Sequence, residues 1–140
     1  MMFDESRLKD PGFFRENRLD AHSDHVVSPS YRCSLNGLWK FFHALNPGQV
    51  IPGFEQPDFD CRGWNDIHVP AHIQMEGYGA PQYCNVGYPW DGLGKLMPGD
   101  LPESYNPVAC YVKYFCVSED MKGKRVFISF QGWRAVWPCG

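Results

Sequence analysis

Six cysteines, five histidines and several adjacent acids are the residues of this 140-residue chain with chemistry to offer. Cys33, Cys61, Cys84, Cys110, Cys116 and Cys139 are widely spaced, and no Cys-x-x-Cys pair occurs. His22 and His25 have ligand-like spacing, but no cysteine pair lies near enough to complete a tetrahedral zinc site. The N-terminus is charged from Asp4 onward and shows no apolar leader. Free thiols in a reducing cytoplasm are therefore the expected state. His68 and His72 have no carboxylate or serine partner at a recognisable spacing. Cys84 has no neighbouring base or cation to make it nucleophilic, so it reads as a spectator thiol. The acid pairs Asp4/Glu5, Asp58/Asp60 and Glu119/Asp120 sit in polar turns. Acid–base catalysis by two carboxylates needs one of them desolvated so that their pKa values separate. No catalytic residue is expected in this chain.

The composition is most unusual between Val69 and Trp90, VPAHIQMEGYGAPQYCNVGYPW. This stretch holds three tyrosines, one tryptophan, three prolines and three glycines, with Glu76 as its only charged side chain. Proline and glycine at this density exclude a long helix or a central strand. Two uses fit such a rigid, aromatic, nearly uncharged loop. It can present a fixed surface to a neutral polar ligand, or it can cross under a sheet and bury its rings.

The elements that must position this loop read as strands. Asn36-Gly37 is a turn signal, and SLNGLWKFFHAL then places Trp39, Phe41 and His43 on one strand face and Leu38, Lys40 and Phe42 on the other. Ile67 and Val69 share one face of a short strand, with Asp66 and His68 on the other, until Pro70 ends it. The run 109–117, ACYVKYFCV, is apolar on both faces, as in a sandwich interior. Residues 125–130 alternate most cleanly, Val126, Ile128 and Phe130 against Phe127 and Ser129. Long Pro/Gly connections join these runs, and the helix signal is weak. The pattern predicts an all-β fold, a sandwich or jelly roll. Residues 1–30 read as an extended arm and 31–140 as the domain. The net charge is −3 and the basic residues form no run, which argues against nucleic acid or an acidic membrane as partner. No segment has the apolar length of a membrane-spanning helix.

Taken in order, these segments resemble glycoside hydrolase family 2 β-galactosidases of the large, lactose-hydrolysing type. Asp10-Pro11-Gly12, Glu16-Asn17-Arg18-Leu19 and Ala21-His22 are similar to the family's opening. Ser34-Leu35-Asn36-Gly37 with Trp39 and Phe41 matches its first strand. Val69-Pro70, Gln74-Met75, Gly77-Tyr78, Ala80-Pro81, Tyr83, Asn85-Val86 and Tyr88-Pro89 match its signature loop. Asn106-Pro107, Tyr111, Phe115 and Phe130-x-Gly132 follow. The likeness covers residues 10–132, and the loop looks galactosidase-like rather than glucuronidase-like. It implies the N-terminal sugar-binding domain, a galactose-binding-domain-like jelly-roll β-sandwich. The family hydrolyses terminal β-galactosides with retention, using two glutamates on a separate barrel. Carried over, Asn85 would hydrogen-bond a sugar hydroxyl, since an amide both donates and accepts, and Val86 would shape the wall. The implied partners are a β-galactoside, the remaining domains and further copies of the complete enzyme. No cofactor is implied within this chain, whereas Mg and Na ions are compatible with the full-length family enzyme.

The likeness fades after Gly132. Residues 133–140, WRAVWPCG, carry a proline where the family has a strand, which implies a truncated or frame-shifted product. A jelly roll takes about eight strands, and this chain supplies fewer. The expectation is therefore an incomplete sandwich, inactive on its own. The alternatives are a stand-alone carbohydrate-binding module or a non-functional remnant.

Overall fold

A computed structural model of the chain describes residues 6–7, 10–13, 15, 18–20, 28, 31–80, 94–97 and 100–132. Residues 35–113 form one compact unit, and the described parts of 1–34 and 114–140 group into a second. The fold is all-β, and no α-helix occurs among the described residues.

The first unit is built on a three-stranded antiparallel sheet in the order β2-β1-β3. Strand β1 spans Gly37–Ala44, β2 Asn65–Val69 and β3 Val108–Val112. The alternation in β1 does what its sequence predicts. Trp39 lies opposite Ile67, while Phe41 lies opposite Asn65 on one side and Tyr111 on the other. Trp39, Phe41 and Ile67 form the buried cluster, and Leu35, Val69, Ile73, Tyr78, Ala109 and Tyr111 pack against it. Side chains two apart on a strand share a face, which is why odd-numbered positions of β1 and β2 supply this layer. The Trp39 indole N–H donates to the Leu35 carbonyl at 2.7 Å, so the ring is buried with its polar atom satisfied.

The even face holds a second aromatic group. Phe42 meets Trp64 at 5.4 Å between ring centroids, and Phe54 and Phe59 flank Trp64 at 5.8 and 5.4 Å. On this face Lys40 Nζ reaches Asp66 at 3.0 Å across the β1–β2 ladder. Both side chains are partly exposed, so the pair adds little. The sheet is pinned at both ends. The Asn106 amide donates to the Leu45 carbonyl at 2.9 Å, and Lys113 Nζ donates to the Leu38 carbonyl at 2.8 Å.

Two expected strands come out differently. The run 109–117 is strand only as Val108–Val112, after which Tyr114, Phe115 and Val117 are exposed. Residues 125–130 form no strand, although their alternation is the cleanest in the chain. Alternation makes a segment able to pair, but a strand also needs a neighbour to take its ladder of hydrogen bonds. Val126, Phe127, Ile128 and Phe130 are all exposed, so neither face is covered. The Arg125 guanidinium lies 5.8 Å from the Phe127 ring centroid, a same-side contact consistent with an extended backbone.

In the second unit, the Asp10 carboxylate accepts the Gly12 N–H at 2.8 Å, closing a turn. Arg7 lies over the Phe13 ring. Lys124 Nζ sits 4.0 Å from the Tyr31 centroid.

Candidate functional site

The signature loop leaves β2 through a cis Val69–Pro70 bond and turns back at once. The Met75 and Glu76 amides donate to the His72 and Ile73 carbonyls, and the Tyr78 amide returns to Ile73 at 3.0 Å. This tight reversal brings Tyr78 onto the sheet, where its ring meets Phe41 edge-on at 4.5 Å. The first half of the loop thus packs its ring against the core, while Met75 stands out at the tip with 83% of its surface exposed. Glu76 lies 3.7 Å from His68 Nδ1 and ties the turn to the side of β2.

Gly77 holds φ +91° in this turn with nothing within 4 Å of where a Cβ would go. The cost of a side chain there is conformational, not steric crowding. Gly77→Ala is expected to destabilise the chain by roughly 1–2 kcal/mol. Urea titration checks this, and an unchanged midpoint would show that the turn relaxes freely.

Asn85 and Val86, the sugar-contacting pair implied by the family resemblance, lie outside the described residues, as do Tyr83, Cys84, Tyr88 and Trp90. The other candidates separate clearly. Cys33 and Cys116 are exposed, whereas Cys61 and Cys110 are buried. Asp58, Asp60, Glu119 and Asp120 are exposed. Arg62 donates to both oxygens of Asp60 and holds its carboxyl down at about 2. That is the opposite direction from the raised pKa a general acid requires.

The structure also reveals a cleft that sequence reasoning did not find. Strand β2 begins only at Asn65, opposite Phe41, while the antiparallel β1 runs on past that point to Ala44. Beyond Phe41, β1 has no β2 neighbour, and a cleft of about 440 Å³ opens beside it. Phe41, Phe42, Trp64 and Tyr78 supply aromatic surface, and His43 and Asn65 supply the polar side chains. Among the described residues no Asp, Glu, Lys or Arg lines it. The sequence places His43 and Asn65 on strands, but the cleft depends on the unequal lengths of those strands.

Residues 33–138 match the model of the glycosyl hydrolases family 2 sugar binding domain, most of the chain. The chain belongs to glycoside hydrolase family 2. It is 50% identical to a β-galactosidase of Halalkalibacterium halodurans over 138 aligned positions, covering 91% of this chain and 14% of that protein. Against a β-galactosidase of Streptococcus thermophilus the identity is 44%, with the same coverage. Against the β-galactosidase large subunit of Leuconostoc lactis it is 38%, covering 89% of this chain and 23% of that subunit. The chain therefore corresponds to the sugar-binding domain of family 2 β-galactosidases and spans about one seventh of the first two relatives' length. The all-β architecture agrees with that membership.

Proposed function

We propose that this chain is the sugar-binding part of a β-galactosidase that removes terminal non-reducing β-D-galactose from β-galactosides such as lactose. The observation that carries this reading is the 50% identity to a β-galactosidase sustained over 91% of the chain. Retaining hydrolysis needs a carboxylic acid to protonate the leaving oxygen and a carboxylate about 5 Å away to attack the anomeric carbon. The exposed acids described above do not make such a pair, so both groups would come from the rest of the enzyme. The task left to this chain is binding. The packed first half of the loop would hold Asn85 and Val86 rigidly against the galactose. The amide of Asn85 would exchange hydrogen bonds with a sugar hydroxyl, and Val86 would exclude water beside it.

The exposed apolar segment 126–130 supports the same reading, since a binding domain seated in a larger enzyme has surface for other parts to cover. In this account the enzyme is cytoplasmic and works as a homo-oligomer. Among the described residues no group of three or more His, Cys, Asp or Glu side chains comes together.

The test is a chromogenic β-galactoside assay on the chain alone and mixed with a galactosidase lacking the matching region. The expected result is no turnover alone and turnover in the mixture. In that mixture, Asn85→Ala should raise KM about tenfold, the loss of one good hydrogen bond. Turnover by the chain alone would overturn the assignment of the carboxylates to other domains.

A further inference from the structure

The cleft at the start of β2 has a composition that apolar packing does not explain. Gaps inside a packed core are lined by apolar groups and stay dry. Here Phe41 is fully buried, yet half-buried His43 and exposed Asn65 border the same space. The aromatic surface is held in place. Tyr78 meets Phe41 at 4.5 Å and His43 at 5.9 Å, and Trp64 is braced by Phe42 at 5.4 Å. An amide and an imidazole beside fixed rings, with no Asp, Glu, Lys or Arg among the described lining residues, match a ligand with one apolar face and several neutral hydroxyls.

We propose that this cleft is a carbohydrate site in its own right, built from residues other than Asn85 and Val86, which takes a neutral pyranose. The C–H face of the ring lies against Trp64 or Tyr78. Its hydroxyls exchange hydrogen bonds with the Asn65 amide and the His43 imidazole. A sugar phosphate or uronate finds no Lys or Arg among the described lining residues to offset its charge. The choice of a sugar over other neutral polar ligands rests on the reading of the chain as a sugar-binding domain. The location and the neutrality rest on the cleft alone.

The test is an NMR titration of the 140-residue chain with galactose, lactose, galactose 6-phosphate and sorbitol, following the Trp64 indole N–H. That resonance is assigned by its absence in Trp64→Phe. Galactose or lactose is expected to shift it saturably in the millimolar range, with Trp39 unmoved and with sorbitol and the phosphate showing no saturation. Asn65→Ala, which leaves the ring contacts in place, and His43→Ala, which also removes the contact with Tyr78, should each weaken binding about fivefold. They decide the matter if Trp64→Phe fails to fold. No saturable shift, saturation by sorbitol, tighter binding of the phosphate, or unchanged affinity in both variants would each overturn the proposal. The readout needs no catalysis, so a negative titration alongside turnover in the mixed assay would refute the cleft and leave the galactosidase reading standing. A positive titration without that turnover would do the reverse and favour a stand-alone binding module.

Discussion

Phe41→Ala is expected to abolish the folded sheet. Phe41 is fully buried and lies mid-sheet, facing Asn65 on β2 and Tyr111 on β3. Its ring meets Tyr78 at 4.5 Å and Tyr111 at 4.9 Å, both edge-on. Truncation removes the transfer energy of the ring and leaves a cavity, a cost of about 3–5 kcal/mol, before the aromatic pairs are counted. Among the described residues Trp39, Phe41, Ala44, Cys61, Ile67 and Cys110 make up the buried core, and Pro102 is the other buried residue. A small domain with so few buried groups has a margin of only a few kcal/mol, so this loss matches or exceeds it. Near-UV circular dichroism and amide dispersion should both collapse. Phe41→Leu keeps most of the volume, should cost less than about 2 kcal/mol and should stay folded. An alanine variant with its near-UV signal and urea midpoint intact would place the core elsewhere.

The same residue shows what was legible in the sequence. Trp39, Phe41 and His43 alternate with Leu38, Lys40 and Phe42, and Ile67 and Val69 with Asp66 and His68. Local alternation assigns faces correctly whenever a partner is present. The Asn36-Gly37 turn signal does not hold: Asn36 lies in irregular backbone and Gly37 is already the first residue of β1, with φ +115°. The central position of β1 was not readable, because it depends on pairings with β2 and β3, which are distant in sequence. Residues 125–130 mark the limit from the other side. Their pattern states a capacity to pair, and pairing is settled by whether a neighbour is there. The run 109–117 fails for a local reason. Lys113 turns its ammonium to the Leu38 carbonyl, and the aromatics after it are exposed.

The site divides in the same way. Tyr78 belonged to a loop whose composition allowed either packing or ligand presentation, and its ring packs on Phe41. The family motif, not any physical pattern, singled out Asn85 and Val86, which lie outside the described residues. The cleft had no sequence signal of its own. It exists because β2 is shorter than β1, so Trp64 and Asn65 fall where the ladder stops. A motif can mark residues that touch a ligand, but only three-dimensional closure shows where neighbouring strands end.

Alkaline pH is expected to loosen the sheet through β3. Cys110 is buried opposite Phe42, and burial pushes its thiol up to about 11. Burial also raises the adjacent Tyr111 phenol above its ordinary value. In both groups the charged form is the one the fold disfavours. The unfolded chain loses these protons first, so above the ordinary thiol pKa of about 8.5 the native state binds more protons than the unfolded one. Stability is then complete below that pH and falls as pH rises toward 11. The Cys110 contribution is on the order of 2 kcal/mol across that window. Urea midpoints should hold steady near neutrality and decline above about pH 9. Cys110→Ala should start slightly less stable, through a small cavity, and decline less steeply, leaving the Tyr111 part of the slope. The same burial predicts the order of alkylation at neutral pH, with exposed Cys33 and Cys116 modified well before Cys110. If Cys110→Ala tracked the parent chain at every alkaline pH, the thiol would not be the group that titrates. If Cys110 alkylated as fast as Cys33 in the folded chain, strand β3 would be opening on the timescale of the reaction.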